Sequence, residues 1–565
     1  MLVVLFVIMA ITILSLGFLS ESDVELACGR NMGLRAQMDH LAASGLEHAK
    51  GLILNPQDVD SEYWKGDRAL QLTTGSSDYY DVAVVRDDSD PTDHCNYLID
   101  CNSYRLRSGQ EIGRSSLSAE LRLDPCIAFW AGGDTTLWSS VQINGDVYCG
   151  GTLTNQGKIY GDVFASNDPT GFVEGQIYGV ADLSLQWPRV RYDDFTSEPD
   201  YPKSYIYEQT IGPGDIPAGT SICYRNGDLT ITGNVEITGM LLVKGDLTVQ
   251  GDGNIIIAAK NLPALYVTGD LIIEKDAHLQ ITGLAVVGNR VLINGDADGL
   301  DVLGGLFVRH YLAETADDSS GNGNAGVLYN GPTWQTASGP DGSGALQFDG
   351  LDDYVRTGDS DTKLQLANDY TFLLWINPAA SQRIWAGIFS KTDPDGSMNH
   401  WTLQFDSTAQ RKVVVHHPGA LWDTGIDLGD VAGGWHQIAV VRSGEWMTSY
   451  LDGMPVHRNT WNSSPASGNG HLNIGADRTC SPDYVYTGLI GDVRIYKGAL
   501  DPNDIFPLKD GLAGLIAHWK LDETGCDVTI SAAPAKAAIW YWTEQGARER
   551  WGQAAGAFFR SVRRK

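Results

Sequence analysis

The segments GALQFDGLDDYV (residues 344–355) and YTFLLWI (residues 370–376) decide the fold of the largest domain of this chain. In the second segment Phe372, Leu374 and Ile376 occupy every other position. Because successive side chains of a strand point to opposite faces of its sheet, this segment is predicted to bury one face in a core. The pattern is typical of strands in two stacked antiparallel sheets.

Further short motifs follow in a fixed order along the chain. They are DDSSGNGN (317–324), GWHQIA (434–439), YLDG (450–453) and GDVRIY (491–496). Together with the opening segments, this order resembles the laminin-G-like branch of the concanavalin A-like jelly rolls, across residues 305–505. The resemblance implies a jelly roll that binds carbohydrate or protein. His436 is interpreted as part of the fold, since a single histidine on a packed strand is usually structural.

The same resemblance implies a calcium ion as a structural cofactor. Relatives often bind calcium between the first loop and the last strand, and matching oxygen donors are present here. The implied ligands are Asp318, Asn322, Asn324 and Asp492. The alternative is that Asp and Asn only shape glycine-rich turns. Position 491 is glycine, where relatives often carry a second acid, and this weakens the predicted site.

A hydrolytic role for the jelly roll is disfavoured by its acids. Glycosidases need two carboxylates flanking the scissile bond, commonly alternating on one strand. Within residues 311–510 the only glutamates are Glu314 and Glu445, which are far apart in the sequence. We therefore expect that the protein is not an enzyme, and that a glycoside hydrolase is the less favoured alternative.

The first 19 residues carry no charge and, at roughly 1.5 Å per residue, nearly span the ~30 Å apolar core of a bilayer. The apolar spacing of a helix continues to residue 54, where Asn55-Pro56 ends it. A single-pass membrane anchor is the preferred interpretation. A cleavable signal peptide and a lipoprotein signal ending at Cys28 are the alternatives.

Residues 2–54 also resemble the N-terminus of minor pilins and pseudopilins, in which one helix is half anchor and half packing surface. The resemblance implies a small pilin-like sheet domain at residues 55–135, packed on the second half of the helix. Alternating apolar residues at about 75–125 are compatible with that sheet. Two features depart from the pattern, because no basic leader ending in glycine precedes the helix and no glutamate lies near its start.

From about residue 140 to 304 the sequence consists of short aliphatic runs separated by Gly-Asp pairs, as in Gly245-Asp246-Leu247. Runs this short stack into a solenoid, in which glycine permits the corners. The pattern resembles the bactofilin-like β-helix class. The aspartates are interpreted as turn formers rather than calcium ligands. An insertion without regular pattern is predicted at about residues 165–215.

The end of the chain holds a repeat and a basic tail. Residues 514–524 align with residues 305–315, including Glu523 with Glu314, which predicts the start of an incomplete second jelly roll at 513–530. Residues 531–565 are rich in Ala, Trp and Arg. A frameshifted or truncated coding sequence is the preferred interpretation of this tail, and a basic segment that binds membrane is the alternative.

Composition limits the partners and the compartment. The chain has 565 residues with 70 acidic against 40 basic side chains, and this net charge of -30 excludes nucleic acid as an expected partner. If the compartment is oxidising, Cys95 with Cys101 or Cys126 with Cys149 are the local disulfides to expect, with buried thiols as the alternative.

The sequence thus predicts a mainly β, multidomain protein whose bulk is periplasmic or extracellular. Its expected function is membrane-anchored binding or adhesion, with a jelly-roll head on a solenoid stalk and a carbohydrate or protein ligand on the cell exterior. The alternative is a structural, minor-pilin-like or pseudopilin-like subunit, with pilus or secretion subunits as partners.

Overall fold

The structure is a computed structural model of the chain. It describes residues 2–54, 66–86, 96–124, 126–180, 187, 192–196, 201–259, 262–358, 364–393, 395–408, 411–429, 433–478, 480–509, 511–532 and 556–564. They divide into two compact units, one of residues 1–126, 259–262 and 532–565, the other of residues 127–258 and 263–531. As predicted, the fold is mainly β, with a long N-terminal helix, a β-solenoid and a jelly roll.

The first unit is built on one continuous helix, Leu2–Leu54. Residues 4–33 are exposed almost without exception, although most of the first 19 are apolar. The helix is long and apolar enough to cross a membrane, and a signal sequence near the N-terminus has the same properties. The structure therefore supports an apolar N-terminal helix and leaves both interpretations open.

The second half of the helix packs on an antiparallel sheet. The strands of the sheet, in spatial order, are Asp78–Arg86, Asn96–Arg107, Gln110–Asp124 and Gly556–Arg564. Met38, Ala42 and Leu46 of the helix share a core with Tyr80 and Ile99 of the sheet. The sheet predicted from alternation is present. Part of the basic tail forms its edge strand, and residues 533–555 lie outside the described residues.

The cysteine pairings predicted from the sequence are corrected by the structure. Cys101 and Cys149 are buried free thiols, so neither the Cys95–Cys101 nor the Cys126–Cys149 disulfide is formed. Cys126 is disulfide-bonded. Cys95 lies outside the described residues. Short sequence separation was the only basis for the predicted pairs, and in the sheet Cys101 instead points into the core beside the helix.

The second unit contains a three-sided parallel solenoid. Face 1 consists, in stacking order, of Lys203–Tyr205, Ile222–Asn226, Met240–Lys244, Leu265–Val267, Ala285–Val287, Leu306–Val308, Ile127–Ala131, Asp146–Cys149, Val163–Ala165 and Ile177–Gly179. Face 2 consists of Thr210–Ile211, Leu229–Thr232, Leu247–Gln250, Leu271–Ile273, Val291–Asn294 and Leu312–Ala316, and Thr135–Leu137 with Leu153–Asn155 forms a separate parallel pair. Face 3 consists of Glu236–Thr238, Asn254–Ile257, His278–Thr282, Gly299–Leu303, Val528–Ser531, Val141–Asn144, Lys158–Tyr160 and Phe172–Val173.

The order of stacking differs from the order of the chain. Strand Ile127–Ala131 stacks on Leu306–Val308. The rungs formed by the earlier part of the sequence therefore follow, in the stack, the rungs formed by the later part. After Ile177–Gly179 the chain crosses to the opposite end of face 1 and resumes at Lys203–Tyr205. Both ends of the predicted insertion at 165–215 contain solenoid strands. Only residues 180–202 lie between the last strand before the crossing and the first strand after it. The solenoid also begins earlier than predicted, since Ile127–Ala131 belongs to it rather than to the 55–135 domain.

The crossing segment lies against aromatic rings of face 1. Residue Trp187 packs on Trp130 with ring centroids 5.0 Å apart, and helix Tyr192–Thr196 brings Phe195 to 6.1 Å from Tyr266. Such contacts bury apolar surface that a solenoid otherwise exposes on its outside.

The Gly-Asp pairs form a ladder of hydrogen bonds between rungs. The Asp228 carboxylate accepts the backbone N–H of Asp246 at 2.9 Å, and Asp246 in turn accepts from Asp270 at 2.8 Å. Asp270 continues the ladder by accepting from Arg290 N–H at 3.0 Å. The aspartates therefore tie each corner to the corner of the next rung, which extends the turn-forming role predicted for them.

The jelly roll is inserted into one rung of the solenoid. Leu312–Ala316 completes face 2 of that rung, and Val528–Ser531 supplies its face 3, between Gly299–Leu303 and Val141–Asn144. Everything between is the inserted domain. The predicted boundary at residue 305 thus moves to about residue 317, because Leu306–Val308 and Leu312–Ala316 are solenoid strands.

Two antiparallel sheets form the jelly roll. Sheet A, which continues face 2, consists of Gly326–Tyr329, Tyr354–Thr357, His471–Ile474, Gly387–Thr392, Asn399–Phe405, Lys412–His417 and Ala420–Asp427. Sheet B consists of Thr333–Gln335, Ala345–Asp349, Thr487–Tyr496, Tyr370–Pro378, His436–Ser443, Trp446–Leu451 and Met454–Thr460. Short helical turns lie at Pro482–Tyr484 and Pro502–Ile505.

The core between the sheets follows the alternation read from the sequence. Phe372, Leu374 and Ile376 are fully buried in it, and the Phe372 ring lies 5.0 Å from Phe389 and 5.1 Å from Trp401 between centroids. Dense aromatic contacts of this kind stabilise a sandwich strongly.

The repeat at residues 514–524 has a different role from the one predicted. Leu515–Trp519 pairs with Thr487–Tyr496 in the first jelly roll, and the chain then returns to the solenoid. The matching glutamates meet at this junction: Glu314 accepts the Cys526 N–H at 3.1 Å, and Glu523 accepts the Asp317 N–H at 2.7 Å. Each of the two segments that connect the jelly roll to the solenoid thus carries a glutamate that accepts a backbone N–H of the other.

We expect Gly269→Ala to destabilise the solenoid. A Cβ at this position would lie 2.1 Å from the Asp246 carboxylate and 2.7 Å from the Gly245 carbonyl, so the ladder must shift. The expected loss is about 1–3 kcal/mol of unfolding free energy, measured by chemical denaturation. The control is Gly358→Ala, where no atom lies within 4 Å. Equal stability of the two variants would contradict the tight stacking.

The junction glutamates should make stability depend on pH. Burial raises the pKa of Glu314 to about 7 and that of Glu523 to about 8, from an ordinary value of 4.5. Because the folded state holds these protons more tightly than the unfolded state, stability is greatest below pH 4.5 and falls as pH rises towards 8.

Replacing both junction residues, Glu314→Gln with Glu523→Gln, should flatten that dependence. The measurement is the melting temperature from pH 5 to pH 9, with the exposed Glu445→Gln as the matched control. A double variant that keeps the slope of the wild type would show that other groups cause it.

Candidate functional site

Asp318, the first predicted calcium ligand, organises its own loop. Its Oδ1 accepts the N–H of Ser320 at 3.0 Å and of His518 at 2.9 Å. Its Oδ2 accepts from the backbone N–H and the side-chain amide of Asn324, at 2.9 and 2.8 Å. The carboxylate is buried and accepts four hydrogen bonds, which is the pattern of a turn-forming acid.

Asp492 lies at a β-bulge of Thr487–Tyr496 with φ of 48°, and the bulge re-aims its side chain. The carboxylate accepts from His518 Nε2 at 2.7 Å and from Arg494 Nε at 2.7 Å. Burial by itself raises the pKa of Asp492, but these hydrogen bonds outweigh it and hold the pKa below its ordinary value of 3.8. The negative charge is therefore paired with the Arg494 guanidinium, and His518 adds a hydrogen bond.

All four predicted ligands lie next to strand Leu515–Trp519. Asn322 and Asn324 donate to the Ile516 carbonyl at 3.3 and 2.9 Å, and His518 of this strand bonds both Asp318 and Asp492. Calcium requires roughly six to eight oxygens with free lone pairs. Both carboxylates of this set already accept N–H donors, which fits the turn-forming alternative, and the calcium site stays a prediction.

Sequence reasoning missed a different acidic cluster. Among the described residues, Asp349, Asp352 and Asp353 form the one group of three or more acidic, histidine or cysteine side chains whose ligand atoms lie within 4.8 Å. Burial raises the pKa of Asp353 to about 7, and its carboxylate accepts the Asp349 N–H at 2.9 Å. These acids lie in the segment of residues 344–355, where they shape the turn after strand Ala345–Asp349.

An open cleft of about 710 Å³ lies on the outer face of sheet B. Its floor is Trp375, which points away from the core because its neighbours Leu374 and Ile376 point into it. In register beside Trp375 are Gln437 on one strand and Gly491 on the other. Trp375 is half-buried, and the Trp435 ring and Pro340 lie over Gly491.

The walls of the cleft carry both charge signs and an apolar segment. The charged groups are Asp341, Asp452, Asp492, Asp522, Arg494 and Lys520. The apolar wall is formed by residues 505–508, of which Ile505 packs on Leu373 and Ala439 of sheet B. The predicted end of the jelly roll at residue 505 therefore falls within the segment that forms this wall.

Two of the wall acids, Asp341 and Asp452, accept hydrogen bonds from neighbouring groups. A hydrogen bond from the Ser343 hydroxyl holds the pKa of Asp341 below its ordinary value. The Asp452 carboxylate accepts from His436 Nδ1 at 2.9 Å and from the Gln437 N–H at 2.8 Å. Asp341 is thus stabilised as a carboxylate, whereas a general acid needs a raised pKa.

Comparison with known proteins identifies the jelly roll. A laminin G family model, described as the concanavalin A-like lectin/glucanases superfamily, matches residues 348–506. This matches the resemblance read from the sequence and covers the strands from Ala345–Asp349 to the turn at Pro502–Ile505. No match was found among curated proteins.

Solved structures give distant likenesses. Domain 4 of the arabinanase AbnA from Geobacillus stearothermophilus, in complex with arabinotriose, is 21% identical over 34% of this chain and 90% of that chain, with a TM-score of 0.28. A putative carbohydrate binding protein from Bacteroides ovatus is 14% identical over 36% of this chain and 54% of that chain, with a TM-score of 0.23.

A third likeness extends over most of the chain. Tailspike protein 2 from the Escherichia coli O157:H7 bacteriophage CAB120 is 10% identical over 70% of this chain and 74% of that chain, with a TM-score of 0.27. At these scores the three likenesses carry no argument about ligand.

The loop and calcium interpretations of Asp318 predict different outcomes for Asp318→Ala. If the carboxylate acts through its four hydrogen bonds, the variant loses about 2–4 kcal/mol of stability equally in millimolar calcium and in chelator. The measurement is the melting temperature of both proteins under both conditions, with the exposed Asp395→Ala as control. A loss of stability that occurs only in calcium-containing buffer would support the predicted calcium site instead.

Proposed function

We propose that this protein is a membrane-anchored, non-enzymatic binding protein whose jelly roll recognises carbohydrate or protein through the Trp375 cleft. The observation that carries the proposal is a half-buried tryptophan, Trp375, that lines an open cleft together with side chains that donate and accept hydrogen bonds. Pockets of roughly 300–1,000 Å³ with a few placed polar groups are the usual form of a small-ligand site.

Saccharides suit this arrangement in chemical terms. One face of a sugar ring is apolar and stacks on an aromatic ring, while its hydroxyl groups bond to amides and charged groups at the edge. Trp375 offers the stacking surface, and Gln437, Lys520 and Asp522 offer donors and acceptors. A peptide side chain of similar polarity is the protein counterpart of such a ligand.

The non-enzymatic assignment is part of the proposal. It is supported by the lowered pKa of Asp341 and by the compensation of Asp492 by Arg494 and His518. Hydrolysis of a glycosidic bond requires a proton donor and a second carboxylate at a set separation. The structural minor-pilin alternative receives no support from the family match or the solved structures reported above.

The location is proposed on the apolar helix Leu2–Leu54. Its uncharged first 19 residues would anchor the chain, with the remaining residues on the periplasmic or extracellular side. In that setting the solenoid serves as the stalk from which the jelly roll emerges, since the domain is inserted directly into one of its rungs.

The test is binding of the detergent-solubilised full chain to a glycan and protein array, followed by Trp375→Ala. We expect a specific ligand whose affinity falls at least tenfold in the variant, because the stacking surface of the cleft is lost. Trp446→Ala is the matched control, since Trp446 is an exposed tryptophan of sheet B that does not line the cleft. Equal loss in both variants, or release of reducing sugar, would contradict the proposal.

A further inference from the structure

The carboxylates of the Trp375 cleft lie on both sides of its floor. Trp375 is in register with Gln437 on one neighbouring strand and with Gly491 on the other. On the Gln437 side, the Asp452 carboxylate accepts the Gln437 N–H at 2.8 Å and lines the cleft. One acid is thus fixed next to the residue that flanks Trp375 on this side.

Two further acids, Asp341 and Asp522, line the Gly491 side of the cleft. A Cβ at Gly491 would lie 3.8 Å from Pro340, the neighbour of Asp341 in the chain. A Cβ at Gly344 would lie 2.7 Å from the Asp522 Cα, so the loop that carries Asp341 also packs against Asp522. A group bound on the floor of the cleft therefore has carboxylates on two sides.

The net charge of the lining is negative. Arg494 donates to both oxygens of Asp492, from Nε at 2.7 Å and from Nη2 at 3.1 Å, so these two charges cancel. With histidine neutral, the other charged lining residues leave a formal charge of -2, because three are negative and one is positive. They are Asp341, Asp452, Asp522 and Lys520.

Two of these carboxylates are held in place by backbone N–H groups. Asp341 accepts the Ser343 N–H at 3.0 Å, and hydrogen bonds from Ser343 hold the pKa of Asp341 below its ordinary value of 3.8. Asp452 accepts the Gln437 N–H, and its second oxygen lies 2.9 Å from His436 Nδ1. A carboxylate has about four lone-pair sites, so these contacts leave acceptor capacity for a ligand. Acceptors fixed in advance also lose little conformational freedom on binding.

The charge of the lining selects a cationic ligand. Carboxylates bond more strongly to ammonium and guanidinium groups than to neutral donors. A tryptophan ring such as Trp375 attracts cations as well. An anionic ligand is opposed by the aspartates, and the net charge of -30 on the whole chain favours the approach of a basic partner.

The apolar wall of the cleft narrows the ligand to a long basic side chain. Residues 505–508 form this wall beside the charged groups. Lysine and arginine lay an aliphatic stem on apolar surface while the charged end reaches polar groups. A volume of about 710 Å³ accommodates such a side chain with the adjoining backbone of its peptide. A small ammonium ion would leave the apolar wall without a contact.

We propose that the Trp375 cleft binds a lysine or arginine side chain of a protein ligand. The charged end lies over the floor, between Asp452 on one side and Asp341 with Asp522 on the other, and the stem lies against residues 505–508. This inference rests on the proposed function of the cleft and narrows its ligand from carbohydrate or protein to a basic protein segment.

The test is isothermal titration calorimetry of the detergent-solubilised full chain with acetyl-Gly-Gly-Arg-Gly-Gly-amide and its lysine analogue. The matched neutral probe replaces arginine by citrulline, which has nearly the same shape without the charge. We expect the arginine or the lysine peptide to bind at least tenfold more tightly than the citrulline peptide. Its affinity should fall as the salt concentration is raised, because salt screens the attraction.

Charge variants of the cleft should change that affinity in opposite directions. Asp341→Asn and Asp522→Asn should each weaken binding of the basic peptide at least threefold, because each removes a negative charge. Lys520→Gln should strengthen it at least twofold, because it removes the positive one. The control is Asp395→Asn, an exposed acid that does not line the cleft and should leave the affinity unchanged.

Each contrary outcome overturns the inference. Equal binding of the arginine and citrulline peptides, no binding of either basic peptide, or an unchanged affinity in all three charge variants would do so. If a ligand without a basic group then binds and is lost in Trp375→Ala, the proposed function of the cleft stands and only this inference fails. If Trp375→Ala weakens the binding of no ligand, both fail.

Discussion

The strand Leu312–Ala316 is the element on which the second unit depends, because it is hydrogen-bonded along both edges to different architectures. On one edge it pairs in parallel with Val291–Asn294 of the solenoid, and on the other it pairs antiparallel with Gly326–Tyr329 of the jelly roll. Sheet A is therefore a continuation of face 2. The antiparallel pairing involves Thr315 and Ala316, at the end of the strand.

Much of this could be predicted from the sequence, because burial imposes a period on each strand. The alternation around Phe372 and the short runs between Gly-Asp pairs fix which side chains point inward. Periodicity does not say which strand lies next to which. The pairing of Leu306–Val308 with Ile127–Ala131 joins segments that are remote in the chain, and no local pattern encodes that contact.

The candidate site also combines features that local sequence predicts with features that depend on which strands pair. That Trp375 points away from the core follows from its neighbours, but the residues beside it, Gln437 and Gly491, are set by the pairing of its strand with two others. Asp492, which the sequence predicts as a calcium ligand, has contacts that no local pattern predicts. A one-residue bulge turns its carboxylate towards His518 and Arg494, and a bulge depends on the register of two strands that are far apart in sequence.

The closure of a solenoid rung by Val528–Ser531 also sets an order for folding during synthesis. A ribosome releases Ile127–Ala131 and Val141–Asn144 early, yet each has one of its neighbours in a segment made much later. Those strands keep an unpaired edge until residues 306–308 and then residues 528–531 emerge. The stack therefore cannot grow rung by rung from the N-terminus, and its final closure waits until nearly the whole chain has been made.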